Sequence, residues 1–308
     1  MNPIFVLSSV RSGSTLFRLL MNSHPSIRNP GEFDYLFDHV SDEGRYPSLI
    51  DYKQFLSTDR IFQAHKLIIN EQLNFPELIY SFVEQSHKPD EILAMNVHRN
   101  FHRIPALFPD ALYIHLLRDP RDVARSCMGM GWVGHVYYGV DIWIKAQLSW
   151  ERLKPSLDES KFIEIKYEEL LENVELGLAE ICNFAGVEYS DAMLDYVEHS
   201  NYDLPDKHLA YQWKKKYSTR QLMLAEGKLG AMIEYCGYRP SGVKPIRPGV
   251  LERIYLFVMN KQYRARFWIN RYGFYLYLQR AICTRIGSSK WKSRVFQKTN
   301  QIDTKHLK

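Results

Sequence analysis

The feature that most constrains the fold of this 308-residue chain is the stretch at 3–24. An apolar, strand-like run passes through Val10-Arg11-Ser12-Gly13-Ser14-Thr15 and then becomes helix-periodic. A strand that turns into a helix through a small-residue loop points free helix N-terminal amides and hydroxyls at whatever occupies the loop. With the helix dipole and the Arg11 guanidinium, this forms a cradle for a tetrahedral anion. A nucleoside triphosphatase loop would read G-x-x-x-x-G-K-[ST]; here arginine precedes the glycine and Ser14-Thr15 follow it, so ATP hydrolysis is disfavoured.

A second strand-to-helix junction lies at 111–127. An apolar run delivers Arg118 at its end, Asp119-Pro120 provides an N-cap followed by proline at the first helical position, and Ser126 follows two turns later. In this order, the two junctions resemble the sulfotransferase superfamily, whose members take a sulfuryl group from 3′-phosphoadenosine 5′-phosphosulfate (PAPS). The resemblance implies that Arg11, Ser12, Gly13, Ser14 and Thr15 bind the 5′-phosphosulfate, with Arg11 also acting in catalysis. It implies that Arg118 and Ser126 hold the 3′-phosphate.

The likeness spans about residues 1–239 and is strongest to the bacterial and tyrosylprotein sulfotransferases. The run from His24 to Glu32 is similar to the segment that ends in their catalytic base, which makes Glu32 the matching residue. The run from Phe162 to Leu170 is similar to a strand followed by Tyr-Glu-x-Leu, which implies that Tyr167 lies near the adenine. The chain also departs from the family. It lacks the first-loop lysine and the Arg-Lys-Gly run of the eukaryotic cytosolic enzymes. Where relatives often carry a lysine after the first helical region, it has Ala94-Met95-Asn96-Val97-His98-Arg99, so His98 or Arg99 is the candidate donor there. His98 is also the alternative base. Tyr211-Gln212-Trp213 replaces a Gly-Arg-Trp, leaving Lys214 as a candidate phosphate contact.

The remainder of the sequence is read from pattern. Strands are expected near 3–9, 91–96, 111–117 and 161–166, with helices at 74–84, 140–152 and 167–185. The alternation predicts an α/β fold, a P-loop-like parallel sheet flanked by helices, with ligands beyond the strands' carboxyl ends. The glycine-punctuated segment 129–139, carrying Trp132, Tyr137 and Tyr138, is a candidate mobile acceptor lid. Four dispersed cysteines without metal-ligand spacing read as reduced core thiols, and no metal is expected. The chain enters its first strand without a basic leader and has no apolar run of about 20 residues, so a cytoplasmic location is expected.

The net charge of +5 conceals an asymmetry. Residues 240–308 hold 15 Lys/Arg against Glu252 and Asp303, a balance of +13, leaving −8 for residues 1–239. Residues 240–308 are therefore expected to form a basic, aromatic helical extension. It would either contact an anionic membrane peripherally or pack as a lid on the acidic part. The expected partner is a hydroxylated acceptor, and nucleic acid is not expected. Two other classes fit parts of the pattern: a P-loop-type small-molecule kinase, which would need Mg²⁺ carboxylates, and a noncatalytic membrane- or nucleic-acid-binding protein.

Overall fold

The computed structural model describes residues 2–306. Its centre is a five-stranded parallel sheet of β1 (Ile4–Leu7), β2 (Ile27–Arg28), β3 (Ile92–Val97), β4 (Leu112–Leu117) and β5 (Phe162–Lys166), ordered β2-β3-β1-β4-β5. Every residue of β1 is fully buried, and its alternation divides it between two cores. Phe5 and Leu7 join the aromatic cluster with Phe37, Tyr52 and Phe82, whereas Ile4 and Val6 pack with Leu20, Ile114 and Leu178 on the opposite face. A strand covered on both faces must be apolar at every position, which is why this run is unbroken in the sequence. With β1 flanked by β3 on one side and β4 on the other, the order of strands reverses at its carboxyl end, where a crevice opens.

The expected α/β architecture is present, with differences at element ends. The helix expected from residue 74 is Phe75–Ser86, closed by a capping box in which Asn74 accepts from the Glu77 amide and Glu77 accepts from that of Asn74. The helix Val136–Leu153 starts a turn before the expected 140 because the His135 ring accepts from the Tyr137 amide and caps it. Tyr137 and Tyr138 therefore belong to that helix and not to a loop. The expected helix at 167–185 is broken at Asn173 into Tyr167–Glu172 and Val174–Ala185.

The basic segment forms three helices, Val250–Tyr272, Phe274–Ile286 and Ser289–His306, called here the first, second and third tail helices. The first docks on the 128–134 segment. Gly134 donates its amide to Asn260 Oδ1 (2.6 Å), and the Tyr263 hydroxyl donates to the Met128 carbonyl (3.2 Å). A Cβ on Gly131 would stand 2.1 Å from the Phe267 ring. Gly131 and Gly134 of the expected mobile lid thus permit close packing of the first tail helix. The third tail helix reaches the Thr58 carbonyl through Asn300 Nδ2 (3.5 Å). Among the described residues, no helix is long and apolar enough to cross a membrane.

Candidate active site

Beyond the carboxyl ends of β1, β3 and β4 lies a cavity of about 670 Å³. It is lined by Arg11, Gly13, Ser14 and Thr15 from the first loop, Glu32 and His98 from the segments after β2 and β3, Arg118 from the end of β4, and Tyr167 from the start of the helix after β5. Five distant parts of the sequence therefore meet because the parallel sheet ends all its strands at one edge.

The first loop is built for close approach. Gly13 caps the helix Ser14–Asn22 with φ of 90°, and a Cβ there would lie 2.2 Å from the Tyr167 ring. Glycine is required both for the left-handed backbone and for contact with Tyr167. Arg11 also has a positive φ, 68°, which for a residue with a side chain costs roughly 1–2 kcal/mol and turns its side chain out of the strand direction. Arg11 Nε donates to Ser126 Oγ at 2.9 Å, joining two motifs 115 residues apart. The Ser12 hydroxyl instead turns inward to Ser9 Oγ (3.2 Å), so Ser12 contributes loop structure and its side chain does not line the cavity.

Arg118 lies against the same group. Its guanidinium stacks 4.6 Å from the Tyr167 ring centroid, Nη1 donates to the Arg11 carbonyl (3.2 Å) and Nη2 donates to the Leu209 carbonyl (3.2 Å). Its Nε is buried without a hydrogen-bond partner. An orphaned donor on a cation facing a cavity is what an anionic ligand would satisfy. Arg118 is held in place from behind by the capped helix Pro120–Gly129. There Asp119 accepts from the Arg121 amide and side chain (both 2.9 Å) and from Trp213 Nε1 (2.9 Å), while Arg121 Nη1 also meets Glu226 Oε1 at 2.7 Å.

The opposite wall carries the titratable groups Glu32, Asp34 and His98. An isolated parallel bridge pairs Glu32 with Asn96, so sheet register sets Glu32 beside the end of β3, where His98 follows. Glu32 Oε1 lies 3.6 Å from His98 Nε2. His98 Nδ1 faces the Ser8 carbonyl at 3.1 Å, and the His98 amide donates to Asp34 Oδ1 at 2.8 Å. Burial tends to raise the Glu32 carboxyl, but His98, Arg60 and Arg99 outweigh it and bring it to about 2. Burial tends to lower His98, yet Glu32 and Asp34 prevail and raise it. Each group of the pair thus favours the charged form of the other. Because the Glu32 side chain is 42 % exposed, solvent screens the interaction.

Asp34 and Arg99 belong to this cluster; Arg99 is a candidate from the sequence, whereas no sequence motif singles out Asp34. Arg99 Nη1 is 3.5 Å from Asp34 Oδ1, and Arg99 Nε donates to Asp38 Oδ1 at 2.7 Å. The available signal was the alternation Glu32-Phe33-Asp34, which sends both carboxylates to one side. One ligand atom each from Glu32, Asp34 and His98 lies within 4.8 Å of the others, a spacing that a cation could use. Here Arg99 already supplies positive charge to Asp34.

Among the expected contributors, Lys214, Tyr137 and Tyr138 lie outside the cavity lining, and Ser126 reaches it through its bond to Arg11. Lys214 stands 4.8 Å from the Tyr211 ring centroid in the short helix Trp213–Lys216 and does not line the cavity. Tyr137 stacks under Lys228, 3.9 Å from the centroid, outside the cavity wall. Trp132 and Met130 do line it, at the edge held by the first tail helix.

Comparison with known proteins accords with this geometry. The chain resembles a sulfotransferase domain of the Synechococcus PCC 7002 olefin synthase, with 23% identity and a TM-score of 0.56, covering 73% of this chain and 94% of that one. It resembles a sulfotransferase domain of the curacin biosynthetic pathway at 20% identity and a TM-score of 0.57, covering 77% and 98%. A putative protein-tyrosine sulfotransferase of Caenorhabditis briggsae is 25% identical over 235 residues, 71% of this chain and 79% of that protein. An uncharacterized protein of Aquifex aeolicus (strain VF5) is 25% identical over 224 residues, 63% of this chain; the match spans only 26% of that longer protein. The family model described as "Sulfotransferase family" matches residues 3–191, well over half of the chain, and the chain belongs to that family.

Proposed function

We propose that this protein transfers a sulfuryl group from PAPS to a hydroxyl of an acceptor. The observation that carries the reading is the convergence on one cavity of two arginines that make no ion pair among the described residues, Arg11 and Arg118, with the Glu32–His98 pair opposite. In this reading Arg118, with its orphaned Nε, and Ser126 hold the 3′-phosphate. The amides and hydroxyls of Ser14 and Thr15 hold the 5′-phosphosulfate, and Tyr167 meets the adenine. The donor supplies an activated sulfuryl group: the new bond from acceptor oxygen to sulfur forms as the bond from sulfur to the phosphate oxygen breaks, and the electron pair leaves on that phosphate.

Glu32 takes the acceptor proton. A carboxylate held near 2 is a weak base toward an alcohol, but the acceptor oxygen becomes strongly acidic as its bond to sulfur forms, so Glu32 need only be ionised and in place. His98 keeps it ionised and positioned. Arg11 and the loop amides stabilise the charge that develops on the bridging and nonbridging oxygens. The four buried free thiols suit a reducing compartment such as the cytoplasm.

The test is incubation of the whole chain with sulfur-labelled PAPS and a panel of hydroxylated extracts, with labelled products identified by mass. A parallel arm uses ATP with Mg²⁺. Label transfer dependent on Arg11 supports the proposal. Phosphoryl transfer from ATP, without transfer from PAPS, would replace it with the kinase reading.

A further inference from the structure

The first tail helix has two unlike faces. One carries Leu256, Asn260, Tyr263 and Phe267 against the domain. The other, over its first two and a half turns, exposes Val250, Leu251, Ile254, Tyr255 and Val258, positions that recur at the spacing of one helical face. Leu251 is 83% exposed. The second tail helix repeats the pattern with Phe274, Tyr275, Leu278, Ile282 and Ile286 exposed along one face and Cys283 buried on the other. Among the described residues, these two helices expose more large apolar side chains than all the rest of the chain. Apolar surface of this extent on a water-soluble face marks an interaction site.

The charge around this face indicates what covers it. Beside Val250 lies a cleft of about 400 Å³ bordered by Lys228, Arg247 and Arg253. Only Lys228 has a carboxylate partner there, Asp141 at 2.6 Å; neither Arg247 nor Arg253 makes an ion pair among the described residues. Lys261 continues the exposed side of the first tail helix, and Arg285 lies on the exposed face of the second. A second copy of the chain would set one +13 segment against another, which opposes self-association. An anionic bilayer satisfies both halves of the surface: its acyl region takes the aliphatic and aromatic side chains, and its phosphates take the flanking arginines.

We infer that the exposed face of the first two tail helices docks this protein on an anionic membrane surface, with Leu251 and Ile254 inserted and Arg247 and Arg253 at the headgroups. The inference concerns binding and does not rest on the proposed chemistry. Its consequence for the site is geometric: the helix that would lie on the bilayer also holds the Met130–Trp132 edge of the cavity, so docking orients that edge toward the membrane.

The experiment is vesicle co-sedimentation of the full chain with pure phosphatidylcholine and with phosphatidylcholine containing phosphatidylserine, at low and high salt. Binding should appear on the anionic vesicles and weaken with salt. The double variant Leu251→Ser/Ile254→Ser, whose side chains make no core contact, should lower binding by about tenfold or more. Arg247→Ala/Arg253→Ala should weaken low-salt binding and flatten the salt dependence. Unchanged thermal melting of each variant shows that the fold is intact. Absence of binding by the wild type, or binding indifferent to both double variants, overturns the inference. So does a concentration-dependent dimer in sedimentation velocity that Leu251→Ser/Ile254→Ser dissolves, because the face would then be an interface between copies.

Discussion

The two ends of the cavity treat charge in opposite ways. At the Glu32 end the central charges sit in pairs: Glu32 faces His98, and Arg99 faces Asp34 and Asp38. At the other end Arg11 and Arg118 make no ion pair among the described residues, and Arg118 keeps a buried donor unpartnered. The contrast is sharpened by Arg121, only three residues beyond Arg118. Arg121 is buried between Asp119 and Glu226, with its guanidinium 3.7 Å from the Trp213 ring centroid. A cation already neutralised by the protein supports structure, whereas a cation left without a carboxylate is available to a polyanion. In the proposed reaction the uncompensated end receives the donor, and the compensated end receives a neutral hydroxyl and its proton.

The largest effect is expected of Glu32→Gln. It keeps the shape of the acceptor end but cannot accept a proton, so turnover should fall by about 10²–10⁴-fold. Calorimetry should show donor affinity nearly unchanged. A variant that keeps most of its turnover would pass the base role to His98.

Next come the two arginines, each removed in turn. Arg118→Ala should weaken a nucleotide bearing a 3′-phosphate by about 10–100-fold, the range expected for a lost charge-assisted hydrogen bond. It should barely affect the same nucleotide without that phosphate. Arg121→Ala should instead strand Asp119 and Glu226 in the interior and cost about 3–5 kcal/mol of stability, read by chemical denaturation. Equal losses for both nucleotides with Arg118→Ala would move the 3′-phosphate site elsewhere.

The proton-handling pair gives a smaller, spectroscopic effect. Glu32, lowered to about 2 from an ordinary 4.5, contributes stability that is complete above 4.5 and is lost as pH falls toward 2. His98, raised above 6.5, contributes stability that is complete below 6.5 and is lost as pH rises through its folded value. NMR titration of His98 should therefore show a midpoint above 6.5 that drops in Glu32→Gln. An unmoved midpoint would dissolve the pair. Smallest of all, Lys214→Ala should leave nucleotide affinity within a few-fold, because the side chain rests on Tyr211 outside the cavity. A loss comparable with that of Arg118→Ala would mean that Lys214 swings in when the donor binds.

Features that depend on neighbours a few residues apart are legible in the amino-acid order alone. The fully apolar β1, the Gly13 turn, the Asp119-Pro120 helix start and the Asn74 cap are each specified by steric or hydrogen-bonding requirements acting within about one helical turn, and each is found where those requirements place it. The position of Glu32 beside His98 was not legible in the same way, because it depends on the register that sets Glu32 against Asn96 across the sheet. The Arg11–Ser126 bond and the departure of Lys214 from the cavity depend on how helices pack over intervals of about a hundred residues. The glycines at 131 and 134 show the limit most plainly. Locally a glycine permits either motion or close approach, and only the arrival of Phe267 and Asn260 from the tail decided for close approach.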